Sequence, residues 1–217
     1  MTPRPDLIAG VPVLFVMAAE AEYGPELRAR ITPVMTGIGP VEAAVSLTAA
    51  LSTLAARQAL PQLVVSLGSA GSRVFAPAEV VQIASVSWRD IDASPLGFEK
   101  GRTPLLDLPA EVELPIRLPG LRAGRISTGA DIVSGAGYDR VDADLVDMET
   151  WSHLRACQRF GLPLMGLRGI SDGQEELRGL QDWTALLGLI DARLAQAVDL
   201  LAAGLAEGEL DLNPSLR

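Results

Sequence analysis

Apolar runs separated by short polar and glycine-rich breaks set the rhythm of this chain. Residues 11–17 (VPVLFVM) are apolar throughout, which predicts a strand buried on both faces. Pro12 falls near its start, where a missing ladder donor is best tolerated. Residues 18–30 read as helical with an interruption at Gly24 and Pro25, and residues 31–36 as a short strand stopped by TGIGP. From Val41, the spacing of Ala44, Val45, Leu47, Ala50 and Leu51 suits the apolar face of a helix. Residues 63–67 and 80–86 read as further strands, the first ended by GSAGS. The proline-punctuated stretch 89–121 keeps apolar residues throughout, so it reads as loops and short strands within one domain. Strands are predicted at 125–128, 144–148 and 164–170, and helices at 150–160 and 183–205, the last with Asp182 as N-cap. Alternating strands and helices predict a layered α/β fold with one mixed sheet. Its core should span about residues 11–205 of a single domain covering 1–217, followed by a polar tail from 206.

Composition narrows the class. The 217 residues are 48% hydrophobic and 21% charged, a globular profile, and the net charge of −9 disfavours nucleic acid as a partner. No apolar run approaches the ~18 residues of a membrane helix. The start, MTPRPDLIAG, lacks the layout of a secretory leader, so the expectation is a cytoplasmic protein with no membrane partner. A lone cysteine, Cys157, cannot form an internal disulfide, and with the lone histidine, His153, cannot form a Cys/His zinc site. Neither metal nor cofactor is expected. Cys157 reads as a buried small side chain, His153 as a helix-surface or core residue, and 178–182 as a solvated loop.

Candidate chemistry lies where strands end. Glu20, Glu22, Asp147, Glu149 and Asp172 all occupy such positions, where ligands gather in α/β sheets. Position alone leaves helix capping and catalysis equally open for each. Gly37 and Gly39 lack the third glycine of a dinucleotide fingerprint, so a nicotinamide-dependent oxidoreductase rests on little. GSAGS at 68–72 is a better small-residue cradle for close approach of a ligand.

Seven segments in order carry a resemblance: AAEAE (18–22), TGIGPVEAA (36–44), GSAGS (68–72), DIDASPLGFEKG (90–101), ISTGADIV (126–133), DMET (147–150) and RGISDG (168–173). Together they resemble the 5′-methylthioadenosine/S-adenosylhomocysteine nucleosidases of the purine nucleoside phosphorylase superfamily. The resemblance implies a three-layer α/β/α sandwich around a mixed central sheet, usually a homodimer. It implies that Asp172, beside Ser171, protonates purine nitrogen 7, that Glu149 holds the ribose hydroxyls and that Glu22 activates the attacking water. Arg168 is similar to the arginine near that base, and Met148 to the residue packed on the sugar. Ser69, Ala70 and Gly71 match the loop beside ribose and base, and the backbone of Val133 matches the reader of the purine edge. Leu96 and Phe98 match side chains sent into the neighbouring subunit's pocket. The implied substrates are a 5′-modified adenosine and water.

Several positions depart from the family pattern. Ile132 stands where a phenylalanine commonly stacks on adenine, Ala130 and Asp131 are in swapped order, and Ser72 and Arg73 replace a glycine and a neutral residue. Trp151 follows DMET where small residues are usual, and Trp183 is a candidate cover for the site or a core residue. The competing functions are a nucleosidase for futalosine or a nucleotide, a phosphorylase, and a non-catalytic nucleoside-binding protein. Phosphorylases of the superfamily carry a glycine-rich segment with arginine after the first strand; here Glu22 stands there, which suits water over phosphate.

Overall fold

The computed structural model describes residues 2–106 and 108–212; the end of the expected polar tail, 213–217, lies outside them. The sheet begins with a hairpin that the apolar pattern does not predict. Strand β1 (Asp6–Ile8) pairs antiparallel with β2 (Val11–Met17) across the two-residue turn Ala9-Gly10. Both turn residues have positive φ (49° and 85°), as a twist-matched two-residue hairpin requires.

The rest of the sheet comprises β3 (Val34–Met35), β4 (Leu63–Gly71), β5 (Val80–Trp88), β6 (Glu111–Glu113), β7 (Ala123–Thr128), β8 (Leu145–Asp147) and β9 (Leu164–Asp172). Strands β3 and β4 lie parallel to β2, and β9 parallel to β4. Strand β5 is antiparallel to β9 and β6 but parallel to β7, which is parallel to β8. Strand β8 crosses the end of β4 at the pair Gly71–Val146. This pairing closes the path β4-β9-β5-β7-β8 on itself, adding a barrel-like corner to the expected mixed sheet.

Helices α1 (Pro25–Arg28), α2 (Pro40–Ala56), α3 (Thr150–Arg159), α4 (Leu180–Thr184) and α5 (Leu187–Glu207) cover the sheet. Period-two alternation explains why β2 is apolar at every position. Leu14 and Val16 join the core beneath α2 and α3, with Leu47, Leu51 and Leu154. Val13, Phe15 and Met17 join the opposite core beneath α1 and α5, with Leu27, Ile190 and Leu194. Strand β4 alternates likewise, with Val64 on one side and Leu63, Val65 and Leu67 on the other.

Three expectations need correction. Residues 18–30 fold as a 3₁₀ turn (Glu20–Glu22) and the short α1, whose N-terminus is capped from α5: buried Asp191 accepts from Glu26 N (2.9 Å) and Leu27 N (3.1 Å). The strand expected at 31–36 shrinks to Val34–Met35. The last helix is two helices, because α4 turns Trp183 towards the site while α5 buries Ile190, Leu194 and Leu201 against the sheet. Asp182 is therefore not the N-cap, a place taken by Gly179; its carboxylate accepts from Arg178 N (2.7 Å). No helix among the described residues is long and apolar enough to cross a membrane.

Candidate active site

Strands β2, β4 and β9 run parallel, so the residues at and just after their C-terminal ends meet at one end of the sheet. The crossing of β8 over Gly71 brings Asp147, Met148 and Glu149 to the same place. A cavity of about 250 Å³ lies there, lined by Glu22, Glu149 and Asp172 together with Asp131 and Asp147. Met148, Ser69, Ala70, Gly71, Val133 and Ser171 line it too. Ile132 borders it with 73% of its surface exposed.

Each acid is held differently. Glu22 Oε1 accepts from the Ser69 backbone N–H (2.7 Å) and hydroxyl (2.6 Å). Burial pushes its carboxyl above the usual range, against the pull of those two bonds and of the Arg168 charge. Glu149 Oε1 accepts from Gly39 N (2.8 Å). The glycine turn 37–39 serves this bond, with Gly37 and Gly39 at φ 84° and 95°. Burial, reinforced by the nearby Asp147 charge, raises Glu149 to about 7. Asp172 Oδ1 accepts from Ser171 Oγ (2.5 Å), and burial raises its carboxyl despite that bond. Burial thus raises all three carboxyls, the direction that general acid–base work at neutral pH uses.

The Glu149 shift has a measurable consequence for stability. Its folded pKa of about 7 lies above the ordinary 4.5, so between those values the folded chain binds a proton that the unfolded chain does not. The associated stability is full below the ordinary value and is lost as pH rises through about 7. Gln at this position still accepts the Gly39 N–H but carries no charge. Glu149→Gln is expected to be more stable than the parent by about 3 kcal/mol at pH 8, with the difference vanishing near pH 4. Urea unfolding at the two pH values checks this; an equal difference at both would sink it.

Arg168 does not line the cavity. It lies beneath the floor, 2% exposed, where Nη2 meets Asp147 Oδ2 (3.0 Å), Ser66 Oγ (2.9 Å) and Thr150 Oγ1 (2.7 Å). Burial raises Asp147, but Arg168 and the Thr128 and Thr150 hydroxyls outweigh it and hold the carboxyl below its usual range. His153 is a core residue, bridging Thr36 Oγ1 (3.1 Å) and Ser66 Oγ (2.9 Å). Burial, with the Arg168 charge beside it, drives His153 down to about 3, so it is neutral. Cys157 is buried, as expected. Glu20 is outside the site, paired with Arg28 (2.8 Å) on the surface. Leu96 and Phe98 do not line the cavity; Leu96 is 77% exposed and Phe98 half-buried.

Among the cavity residues that the sequence missed or left open, Arg89 and Trp183 carry polar groups into the site. Arg89 follows the end of β5, and its guanidinium is held by Asp131 Oδ1 (3.0 Å), Ser127 O (2.6 Å) and Asp147 O (3.0 Å). A charge immediately after an apolar strand was the available signal. Trp183, from α4, lines the cavity and donates its indole N–H to Ser69 Oγ (2.9 Å). Trp151 packs in the core against Trp88, with ring centroids 6.4 Å apart.

Residues 20–203 match the family model described as the phosphorylase superfamily. The chain belongs to this superfamily. Among curated proteins, it is similar to the 5′-methylthioadenosine/S-adenosylhomocysteine nucleosidase of Haemophilus influenzae (strain PittGG), 27% identical over 72% of this chain and 79% of that protein. The nucleosidase of the same name from Baumannia cicadellinicola subsp. Homalodisca coagulata is 30% identical over 66% of this chain and 68% of its own length. The nucleosidase of Neisseria meningitidis, solved with methylthio-immucillin-A, shares the fold: TM-score 0.68 and 20% identity, over 90% of this chain and 98% of the other. A futalosine hydrolase mutant of Helicobacter pylori strain 26695 shares it as well, with TM-score 0.70 and 21% identity over 90% and 98%. The α/β fold around a mixed sheet is that of these proteins.

Proposed function

We propose that this protein is a purine nucleosidase, hydrolysing the N-glycosidic bond of 5′-methylthioadenosine/S-adenosylhomocysteine-type nucleosides and releasing adenine. The observation that carries the reading is the convergence of Glu22, Glu149 and Asp172 on one cavity, each with its carboxyl raised by burial. Adenine leaves poorly as an anion, so its departure needs a proton. Asp172 gives that proton to purine nitrogen 7 as the bond from nitrogen 9 to the anomeric carbon breaks and its electron pair stays with the base. Water attacks the anomeric carbon, and Glu22 takes the proton it sheds. Glu149 binds the ribose hydroxyls, and its negative charge also stabilises the oxocarbenium-like sugar. Met148 packs on the sugar, and Val133 meets the purine edge.

Hydrolysis is favoured over phosphorolysis by the charge of the cavity. A phosphate nucleophile needs free cationic and N–H donors. The arginine lining the cavity, Arg89, is tied to Asp131 and to backbone carbonyls, and Arg168 is tied to Asp147 and Ser66. Glu22 would repel a phosphate from the water position.

The finer parts of the reading belong to the same proposal. The chain acts as one domain, in the cytoplasm, in nucleoside catabolism that feeds methionine salvage. It acts as a homodimer in which Leu96 and Phe98 enter the partner's pocket; the 77% exposure of Leu96 supports this. Base release is measured by chromatography from methylthioadenosine, S-adenosylhomocysteine, adenosine, inosine and futalosine, with and without phosphate. Phosphate-independent release of adenine with a free reducing sugar is expected. Strict phosphate dependence would overturn the role of Glu22, and release from futalosine or inosine alone would overturn the substrate class.

A further inference from the structure

Trp183 stands at the head of a short hydrogen-bonded chain that ends on the proposed base. Its indole Nε1–H donates to Ser69 Oγ (2.9 Å), and Ser69 Oγ in turn reaches Glu22 Oε1 (2.6 Å). An indole nitrogen can only donate, and a serine hydroxyl carries one proton. With its oxygen accepting from Trp183, Ser69 is set to aim that proton at Glu22. The Ser69 backbone N–H meets the same carboxylate oxygen at 2.7 Å. Glu22 Oε1 is thereby occupied by two donors, and the Ala19 backbone N–H also favours the ionised carboxyl. A methyl group at Gly68 would stand 3.3 Å from Oε2 and 3.4 Å from Oε1, so the absence of a side chain there leaves the whole carboxylate room.

We propose that Trp183 is a positioning residue for Glu22: acting through Ser69, it fixes the carboxylate by Oε1 and keeps it ionised, ready to receive the proton of the attacking water. Trp183 lies on α4, beside Leu180 and following Leu177, and all three border the cavity. Seating of α4 over the site and readiness of the base are therefore one event. The inference rests on the hydrolytic reading for the role of Glu22, but the hydrogen-bond relay itself does not.

The relay has a definite sign. Protonation turns the Glu22 carboxylate into a neutral carboxyl, whose oxygen is a poorer acceptor for the Ser69 hydroxyl. By holding the Ser69 oxygen as an acceptor, the indole N–H keeps the hydroxyl proton on Oε1 and strengthens that charge-assisted bond. Trp183 thus favours the ionised base. Other groups face Glu22 as well: Arg168 from β9 also favours its charge, whereas Glu149, at the start of α3, opposes it. Asp172 lines the same cavity. None of them changes when the indole is replaced by a phenyl ring, which keeps an aromatic cover, removes the N–H and shortens the ring; the Ser69→Ala background separates the last two effects.

The test is a carbon-13 NMR titration of the Glu22 carboxyl in the ligand-free protein, for the parent, Trp183→Phe, Ser69→Ala and the double variant. Trp183→Phe is expected to raise the Glu22 midpoint by about half to one pH unit, the weight of one modest hydrogen bond. In the Ser69→Ala background the same substitution is expected to shift nothing further. The acid limb of kcat/KM for purine release should move upward with the midpoint, whereas a merely structural loss would lower activity equally at every pH. An unchanged midpoint in Trp183→Phe, or an equal shift with Ser69 absent, would overturn the proposal. Because the titration needs no substrate, a parent that hydrolyses nothing would overturn the proposed function alone.

Discussion

Asp172→Asn is expected to lower kcat for adenine release by about 10²–10⁴-fold while leaving the fold intact. The substitution is nearly isosteric, and the Asn carbonyl oxygen still accepts from Ser171 Oγ, which reaches Asp172 Oδ1 at 2.5 Å. What is lost is the proton. An ordinary aspartate is protonated in about one molecule per thousand at pH 7, so a working acid depends on its surroundings to hold the proton. Burial does this at Asp172, raising its carboxyl against the opposing pull of the Ser171 hydroxyl. Activity that needs the protonated form falls as pH rises through the raised value, and in the Asn variant that limb disappears. Stability moves the other way. The parent must bury a carboxylate once it ionises, so the uncharged Asn should be as stable as the parent or more so at pH 8. Initial rates from pH 5 to 9, with thermal unfolding on the same samples, check both arms. Parental rates across that range would remove Asp172 from the chemistry.

Much of this site was legible because its residues sit where local pattern changes. The apolar runs at 11–17, 63–67 and 164–170 mark β2, β4 and β9, and the acids and small residues that follow them are the ones that gather at the cavity. Local pattern could not reveal what depends on distant partners. The hairpin strand β1 is three residues long and rests on two positive-φ turn residues, one of them an alanine. The crossing of β8 over β4 consists of one pair, Gly71–Val146, and no periodicity in either segment announces it. Yet that crossing needs Gly71. A Cβ there would stand 2.2 Å from Tyr138 Oη and 2.8 Å from Asp172 Oδ2. The break between α4 and α5 is likewise invisible in sequence, because 183–205 carries a continuous helical pattern; the hydrogen bond from Trp183 to Ser69 lies 114 residues away along the chain. Arg168 shows the same limit from the other side: RGISDG drew attention to it, but only packing puts it beneath the floor instead of in the cavity.

That buried arginine is where the largest loss of stability is expected. Arg168→Met should destabilise the protein by about 3–5 kcal/mol at pH 7, because it leaves the Asp147 carboxylate buried without its counter-ion. Asp147 and Arg168 are both almost wholly shielded from solvent, with side-chain exposures of 1% and 2%. The pair is also a junction. Thr128 Oγ1 reaches Asp147 Oδ1 (2.6 Å), Thr150 N reaches Oδ2 (3.0 Å), and Arg168 extends to Ser66 O and Oγ at 2.9 Å each. These bonds tie β7, β8, β4 and the start of α3 together directly under Glu149 and Glu22. In the parent, Asp147 is held below its usual range, so its contribution is present above the ordinary carboxylate value and is lost as pH falls through the depressed one. Without Arg168, burial is opposed only by the Thr128 and Thr150 hydroxyls, the carboxyl is pushed up, and protonation relieves it. The deficit of Arg168→Met should therefore shrink as pH is lowered from 7 towards 5. Adding Asp147→Asn should recover part of it at pH 7, since removing both charges leaves no uncompensated ion. Urea unfolding of the two single variants and the double variant at both pH values measures this. A deficit that ignores pH and survives in the double variant would mean that Arg168 stabilises the fold by filling space, and the charge would then have no part in holding the floor of the site.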